Sequence, residues 1–296
     1  MQGSIFQEIK RFFRHGSVLS RLIGVNLVVF LFASVLRVFF FLLNYPVVTE
    51  FLGQWFGVSS NIYVIIHRPW TVLTYMFLHF DLLHIFFNMI VLYVGGRLFS
   101  DFIGQNRLAA TYLLGGLAGA LFFIGSYNIF PVFQEVKSIS LAIGASASVL
   151  SIFIAIAVYM PDYRLPLLLI GSIRLKYIAL FFVVIDIISI DQGNPGGHLA
   201  HLGGACWGFI YATLLKSGKD PAKPVGLWLA AIGSLFRRKP AFKVEYNRER
   251  PLTDEDYNDV KAEERKRMDH ILDKISQSGY DSLSKEEKKF LFKMGK

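Results

Sequence analysis

The sequence predicts an all-α membrane protein: a bundle of six transmembrane helices followed by a small, charged helical tail. Hydrophobic residues make up 53% of the chain, with 28 Phe and only 18% charged residues. The mean hydropathy of +0.45 lies far above that of soluble domains. The apolar residues gather into six long runs, and the basic residues crowd into alternate loops between them.

The six runs cover 19–43, 71–93, 108–129, 145–160, 174–188 and 197–215. A spanning helix needs about 20 residues at ~1.5 Å rise each. The fourth and fifth runs are shorter than that. A short span in a bundle can begin below the surface, leaving its first residue in a hollow that water reaches. The first run is too long for a cleaved signal peptide and lacks a small-residue cleavage site before Asn44-Tyr45-Pro46. The single cysteine, Cys206, has no partner, so it is read as a small buried hydrophobe within the last run.

Lys10, Arg11, Arg14 and Arg21 stand at the first run, and Arg97 and Arg107 flank the turn after the second. Arg164, Arg174 and Lys176 lie between the fourth and fifth, and Lys216, Lys219 and Lys223 follow the sixth. The opposite loops hold little beyond Arg68 and Lys137. The positive-inside rule then predicts a multi-pass protein of the cell membrane with both termini cytoplasmic. The loops 44–69 and 127–143 face outward, and Ser146 and His201 reach one depth near the outer leaflet. The net charge of +9 is concentrated where orientation and anionic headgroups account for it, which points to membrane lipids as partners and not to nucleic acid. Arg37, inside the first run, either snorkels to the outer interface or pairs with a partner.

Three motifs carry chemistry. Gly144-Ala145-Ser146-Ala147 opens the fourth run, and Ala200-His201-Leu202-Gly203-Gly204 lies near the start of the sixth. A nucleophile and a base in separate spans suggest hydrolysis inside the bilayer. The third motif runs from His79 to Asn88. Asp81 is a candidate N-cap there, and His84 and Asn88, four apart, share one helix face. Such donors can converge on a developing oxyanion; they can equally serve as interhelical hydrogen bonds. His79 and His84 would lie about 140° apart if both were helical. No His-Glu-x-x-His or acidic cluster accompanies them, so no metal and no cofactor is expected.

Together these motifs resemble the rhomboid intramembrane serine proteases. The matching pieces are Trp70 ahead of His79, His84 and Asn88; Gly144-x-Ser146 opening the fourth span; and Ala200-His201-x-x-Gly204-x-x-x-Gly208 opening the sixth. The resemblance covers about 19–215 and implies a six-span rhomboid bundle. It implies Ser146 as nucleophile and His201 as general base, a dyad. Ser146's own N–H, the His84 imidazole and the Asn88 amide would form the oxyanion hole. His79 would tie the outer loop to the helix end, Gly144 would open the nucleophile's helix, and Gly204 and Gly208 would let the sixth span approach the fourth. Substrates would be single-span membrane proteins cut near the outer face.

The chain departs from the family pattern at three places. Ala147 follows the serine where Gly is frequent, Thr71 follows Trp70 where Arg is frequent, and Leu150 stands where an aromatic often underlies the histidine. Ser148 and Ser151 read as packing hydroxyls. Asp186 reads as an interfacial or hydrogen-bonding residue, with orientation of a histidine as the alternative. His198 competes with His201 for the role of base, but only His201 has Gly three and seven positions on. An inactive rhomboid-like binder of membrane helices is the second functional class; pseudoenzymes generally lose the serine or the histidine, and this chain holds both.

The domains expected are a cytoplasmic segment 1–18, the protease domain 19–216, a linker with an interfacial helix 217–239, and a charged helical hairpin 240–296. The twelve apolar residues from Val225 to Phe236 are too few to span and lie ahead of Arg237-Arg238-Lys239. In the tail, Thr253 opens one helix, Ser278-Gly279 breaks it, and Ser284 to Glu287 forms a capping box for the second. The tail either binds a cytoplasmic partner or is a solvated appendage.

Overall fold

A backbone withdrawn from water must satisfy its N–H and C=O groups within its own segment, so long apolar runs become helices. The computed structural model describes residues 16–45, 47–167, 171–235 and 254–294. They divide into two units, 1–237 and 238–296. Lys10, Arg11, Arg14, Pro46, the cluster at 237–239 and Thr253 lie outside the described residues.

The first unit opens with α1 (Val18–Leu42), capped by the Ser17 hydroxyl, which accepts from the Ser20 amide. Val28, Leu31, Phe32, Val35, Phe39 and Leu42 are exposed along it, as a lipid-facing helix requires. Two short helices follow, α2 (Val48–Phe56) and α3 (Ile62–His67), with β1 (Val58–Ser59) between them. Next come α4 (Thr71–Thr74), a 3-10 turn, and α5 (Leu82–Phe99). The second apolar run is thus not one helix from 71. It breaks at Leu78, which is extended, and restarts where the Asp81 carboxylate accepts from the His84 amide at 2.8 Å.

After a π turn at Ser100–Gly104, α6 (Gln105–Ile129) runs back. Its Gly115 meets Ser151 and its Gly119 meets Ala147, so α6 is antiparallel to α7 (Ser146–Tyr159). Gly95 of α5 packs on Phe153. The strand β2 (Leu141–Ala142) pairs with β1 just ahead of α7. A hairpin of β3 (Arg164–Leu167) and β4 (Gly171–Arg174), absent from the sequence reading, links α7 to α8 (Leu175–Ile188). In that link, Lys176 at 2.8 Å and Arg174 at 3.3 Å hold the Asp162 carboxyl below its ordinary range. The unit ends with α9 (Pro195–Lys216) and the apolar α10 (Lys223–Leu235).

The core gathers around α7, in which every residue from Ala147 to Ala157 is buried. Gly204 of α9 faces the Ala147 backbone and Gly208 the Ser151 carbonyl, both too close for any side chain. These contacts make α9 run parallel to α7. Two stretches, Val18–Leu42 and Leu82–Ile129, are long and apolar enough to cross a membrane, the second doubling back at its π turn; Ser146–Tyr159 is apolar and shorter. Cys206 is exposed, which corrects its reading as buried. It shares the outward side of α9 with Phe209 and Ile210.

The second unit holds α11 (Asp254–Ser278) and α12 (Lys285–Met294). The capping box forms: the Ser284 amide donates to Glu287 Oε2 at 2.7 Å and the Glu287 amide to Ser284 Oγ at 3.3 Å. Lys274 donates to both Glu287 oxygens at 3.0 Å, tying α11 to α12. The Ser284 amide and Lys274 together hold the Glu287 carboxyl down at about 2.

Candidate active site

The site is assembled from the start of α7, the loop ahead of α5, and the first turns of α9. α7 begins at Ser146 without a side-chain cap; Ala145 occupies the position a Ser or Asp would normally take. Among the described residues no acceptor meets the Ser146 amide. It is one of the orphan donors that carry a helix's partial positive charge. The Ser146 side chain is half-buried, and Ala147 and Ser148 behind it are buried.

The turn into α7 depends on glycine. Gly144 has φ +119°, in the region L side chains avoid. A Cβ there would also stand 2.7 Å from His84 Cε1 and 3.0 Å from its Nε2. Gly144 N–H donates to the Tyr75 carbonyl at 2.9 Å and Ala145 N–H to His79 Nε2 at 3.2 Å. The serine's loop is therefore pinned to the segment that carries the histidines.

His79 is fully buried. Its Nε2 accepts from Ala145 and lies 3.4 Å from Asn88 Nδ2, so the ring proton is assigned to Nδ1, 3.3 Å from the Phe77 carbonyl. Asn88 Nδ2 also donates to the His84 carbonyl at 3.0 Å. In this structure the Asn88 amide is thus engaged with its own helix and with His79. His84 is different: among the described residues its ring nitrogens make no hydrogen bond, and its ring lies against Gly144.

α9 starts with Pro195 behind the Asn194 cap, and one turn later presents His198 and His201. Nδ1 of each lies 2.8 Å from the same oxygen, Oδ1 of Asp186 on α8. Asp186 is 5% exposed. A carboxylate buried that deeply needs donors, and the two imidazoles supply them. The expectation of a two-residue constellation is amended accordingly: His201 has an acidic partner. The signal was in the sequence, since an ionisable residue inside an apolar run is a functional candidate by default.

Gly204 against Ala147 brings the His201 turn of α9 beside the Ser146 end of α7. Among the described residues the His201 ring bonds Asp186 and no hydrogen bond joins it to Ser146 Oγ. Ser148 Oγ lies 3.7 Å from Met76 Sδ and Ser151 Oγ 3.3 Å from the Thr111 carbonyl, and both residues are buried.

Two cations brace the outer parts of the site. Arg37 donates to the Phe80 carbonyl at 2.7 Å, so it pairs with a partner inside the protein. Arg68 donates to the Gln54 carbonyl at 2.7 Å and lies 4.2 Å over Trp55, whose carbonyl accepts from Trp70 Nε1 at 2.8 Å.

Residues 67–218 match the family model of the rhomboid domain, and residues 253–294 match a family of unknown function. The chain is 29% identical over 161 residues to the RHOMBOID-like protein 12, mitochondrial, of Arabidopsis thaliana, a match covering 51% of this chain and 48% of that protein. It is 26% identical over 138 residues to the Presenilin-associated rhomboid-like protein A, mitochondrial, of Danio rerio, covering 46% and 34%. With the Presenilin-associated rhomboid-like protein, mitochondrial, of Rattus norvegicus it shares 26% over 163 residues, covering 51% and 40%. The matches thus span less than half the length of each of these relatives. All three names are mitochondrial. They overturn the expectation of a cell-membrane protein with cytoplasmic termini, which rested on loop charge alone; loop charge does not identify the membrane.

Proposed function

Because the chain belongs to the rhomboid family, we propose that it is an intramembrane serine endopeptidase, with α1, α5, α6, α7, α8 and α9 as six membrane passes. By the likeness to its named relatives, the membrane is a mitochondrial one. The observation that carries the reading is the Asp186 carboxylate on His201 Nδ1 at 2.8 Å. That bond places the ring proton on Nδ1 and leaves Nε2 as the basic nitrogen, on the helix turn packed beside Ser146.

In this mechanism Ser146 Oγ attacks the scissile carbonyl while its proton passes to His201 Nε2. The negative oxygen of the tetrahedral intermediate accepts from the uncapped Ser146 amide and from the His84 imidazole, whose ring nitrogens are otherwise unengaged. Asn88 and His79 hold the His84 segment against the serine's loop. His201 then gives its proton to the leaving amine, and water hydrolyses the acyl-enzyme by the same route in reverse. Asp186 keeps its contact with His201 Nδ1 and holds the ring in place as the proton moves. A substrate must unwind locally to present its peptide bond, so a single-span segment with helix-weakening residues and a small side chain at the cut fits best. The tail unit is proposed to bind a protein partner.

The test is covalent labelling of the purified full chain with a fluorophosphonate, beside cleavage of a transmembrane substrate. Labelling and cleavage are both expected in the wild type and both absent from Ser146→Ala, with folding unchanged. Equal proteolysis by a Ser146→Ala preparation free of other proteases would sink the mechanism.

A further inference from the structure

Asp186 receives two histidines on one oxygen, which is more than orientation of a base requires. Among the described residues, Asp186, His198 and His201 form the group whose metal-ligating atoms converge, all within 4.8 Å of one another. The donors are Nδ1, Nδ1 and Oδ1, with both nitrogens 2.8 Å from the oxygen. The edge of a tetrahedron with ~2.1 Å metal–ligand bonds is about 3.4 Å, so a small opening of the trio would admit an ion. The trio is held by two elements: His198 and His201 occupy one face of α9 a turn apart, and Asp186 is fixed in α8. The carboxylate is 7% exposed at its side chain and the imidazoles 22% and 26%, which leaves one side of the trio open for an entering ion and a fourth ligand. Two histidines and one carboxylate are a ligand set for borderline divalent transition ions rather than for Mg²⁺ or Ca²⁺.

We propose that Asp186, His198 and His201 form an inhibitory site for a divalent transition ion of the Zn²⁺ class. This proposal rests on the reading of His201 as the base. An imidazole that binds a metal through Nδ1 carries its single proton on Nε2. The ion thus takes the place of the Nδ1 proton, and the nitrogen that must accept the Ser146 proton becomes a donor. It also draws Asp186 out of its hydrogen bond with the ring. The trio opens slightly to admit the ion, and in each neutral ring the proton lost from Nδ1 to water is matched by one gained from water at Nε2, so the ring stays neutral and no other covalent bond changes; chelation of the ion reverses the exchange and restores the active tautomer.

Binding and inhibition are measured separately. Ser146→Ala full chain, purified in detergent on a tag free of histidine, is titrated with Co²⁺ by visible absorption and with Zn²⁺ against a chromophoric chelator. One ion per chain is expected, with the d–d bands of a low-coordinate N/O site. Binding should be lost when His198→Ala or, separately, His198→Gln is added, each variant checked for an unchanged melting temperature. In the wild type, Zn²⁺ should suppress cleavage and a chelator should restore it. The ratio of rates with and without Zn²⁺ should return to near unity in His198→Gln, whatever that variant's own rate. No ion bound by Ser146→Ala would overturn the site and leave the protease reading intact. Binding without inhibition of an active wild type would overturn the inhibitory role. A chain that never cleaves overturns the protease reading and inhibition with it, while the titration still decides the site.

Discussion

The His84 imidazole lies against the α-carbon of Gly144, so close that a methyl group there would stand 2.7 Å from His84 Cε1. The glycine that turns the chain into α7 also leaves the space that the imidazole occupies. Gly144→Ala is therefore expected to fail twice, by backbone strain of about 1–3 kcal/mol and by displacement of His84. A lowered melting temperature and loss of cleavage should appear together. Wild-type cleavage by this variant would mean that His84 does not act from its present position.

Exchange of the Asp186 carboxylate for an amide, Asp186→Asn, keeps the volume but lets the side chain present N–H where the ring needs an acceptor. Cleavage should fall by about 10²- to 10⁴-fold, the usual worth of proton transfer by a positioned base. KM should change little, because Asp186 is buried behind the histidines that it bonds. A change confined to KM would remove Asp186 from the chemistry.

His201→Ala is expected to be inactive and His198→Ala to remain measurable, although both rings meet Asp186. Only the His201 turn precedes the Gly204 contact with Ala147, and His198 lies about 4.5 Å farther along the helix. Kinetics of both variants on one transmembrane substrate decide it. An active His201→Ala beside a dead His198→Ala would reverse the assignment.

His84→Ala and Asn88→Ala should separate by stability. Losing an oxyanion donor costs about 10²- to 10³-fold in rate, and His84→Ala should show that loss with an unchanged melting temperature. Asn88 bonds the His84 carbonyl and approaches His79 while 7% exposed. Its loss leaves buried groups unsatisfied, so Asn88→Ala should also lose about 1–3 kcal/mol of stability. A stable Asn88→Ala with the larger rate defect would make its amide the principal donor.

The tail unit should loosen in acid. Glu287 titrates at about 2 when folded against an ordinary value of 4.5. A depressed carboxyl stabilises the fold above its ordinary value, and that contribution is lost as pH falls from about 4.5 toward about 2. Amide exchange of α12 in the full chain, corrected for intrinsic rates, should lose protection across that window, and Glu287→Gln should flatten the change.

Helices bounded by polar residues were legible: the first run was expected at 19–43 and forms Val18–Leu42. The fourth was expected at 145–160 and forms Ser146–Tyr159. The run 71–93 was read by its overall hydropathy, so the break at Leu78 and the restart at Leu82 were hidden inside it although His79 and Asp81 mark the place. Asp81 was identified as the cap but not as the true beginning. The β3–β4 hairpin has no alternating pattern in so short a length. Ser146, His201 and the glycines stood out because their spacing is one-dimensional. Asp186 met its histidines only through the packing of α8 on α9, which no spacing within one strand of sequence records.

α7 is buried by its neighbours along Ala147 to Ala157, and its 14 residues rise only about 21 Å. It is a post enclosed by its neighbours and shorter than the ~30 Å hydrocarbon layer around them. With the outer helices as membrane passes, a thicker or thinner bilayer would tilt them without moving the serine at the head of the post. On the proposed function, cutting depth would be measured from the protein's own floor, and cleavage assayed in membranes of different thickness should fall at the same bond relative to the protein's frame.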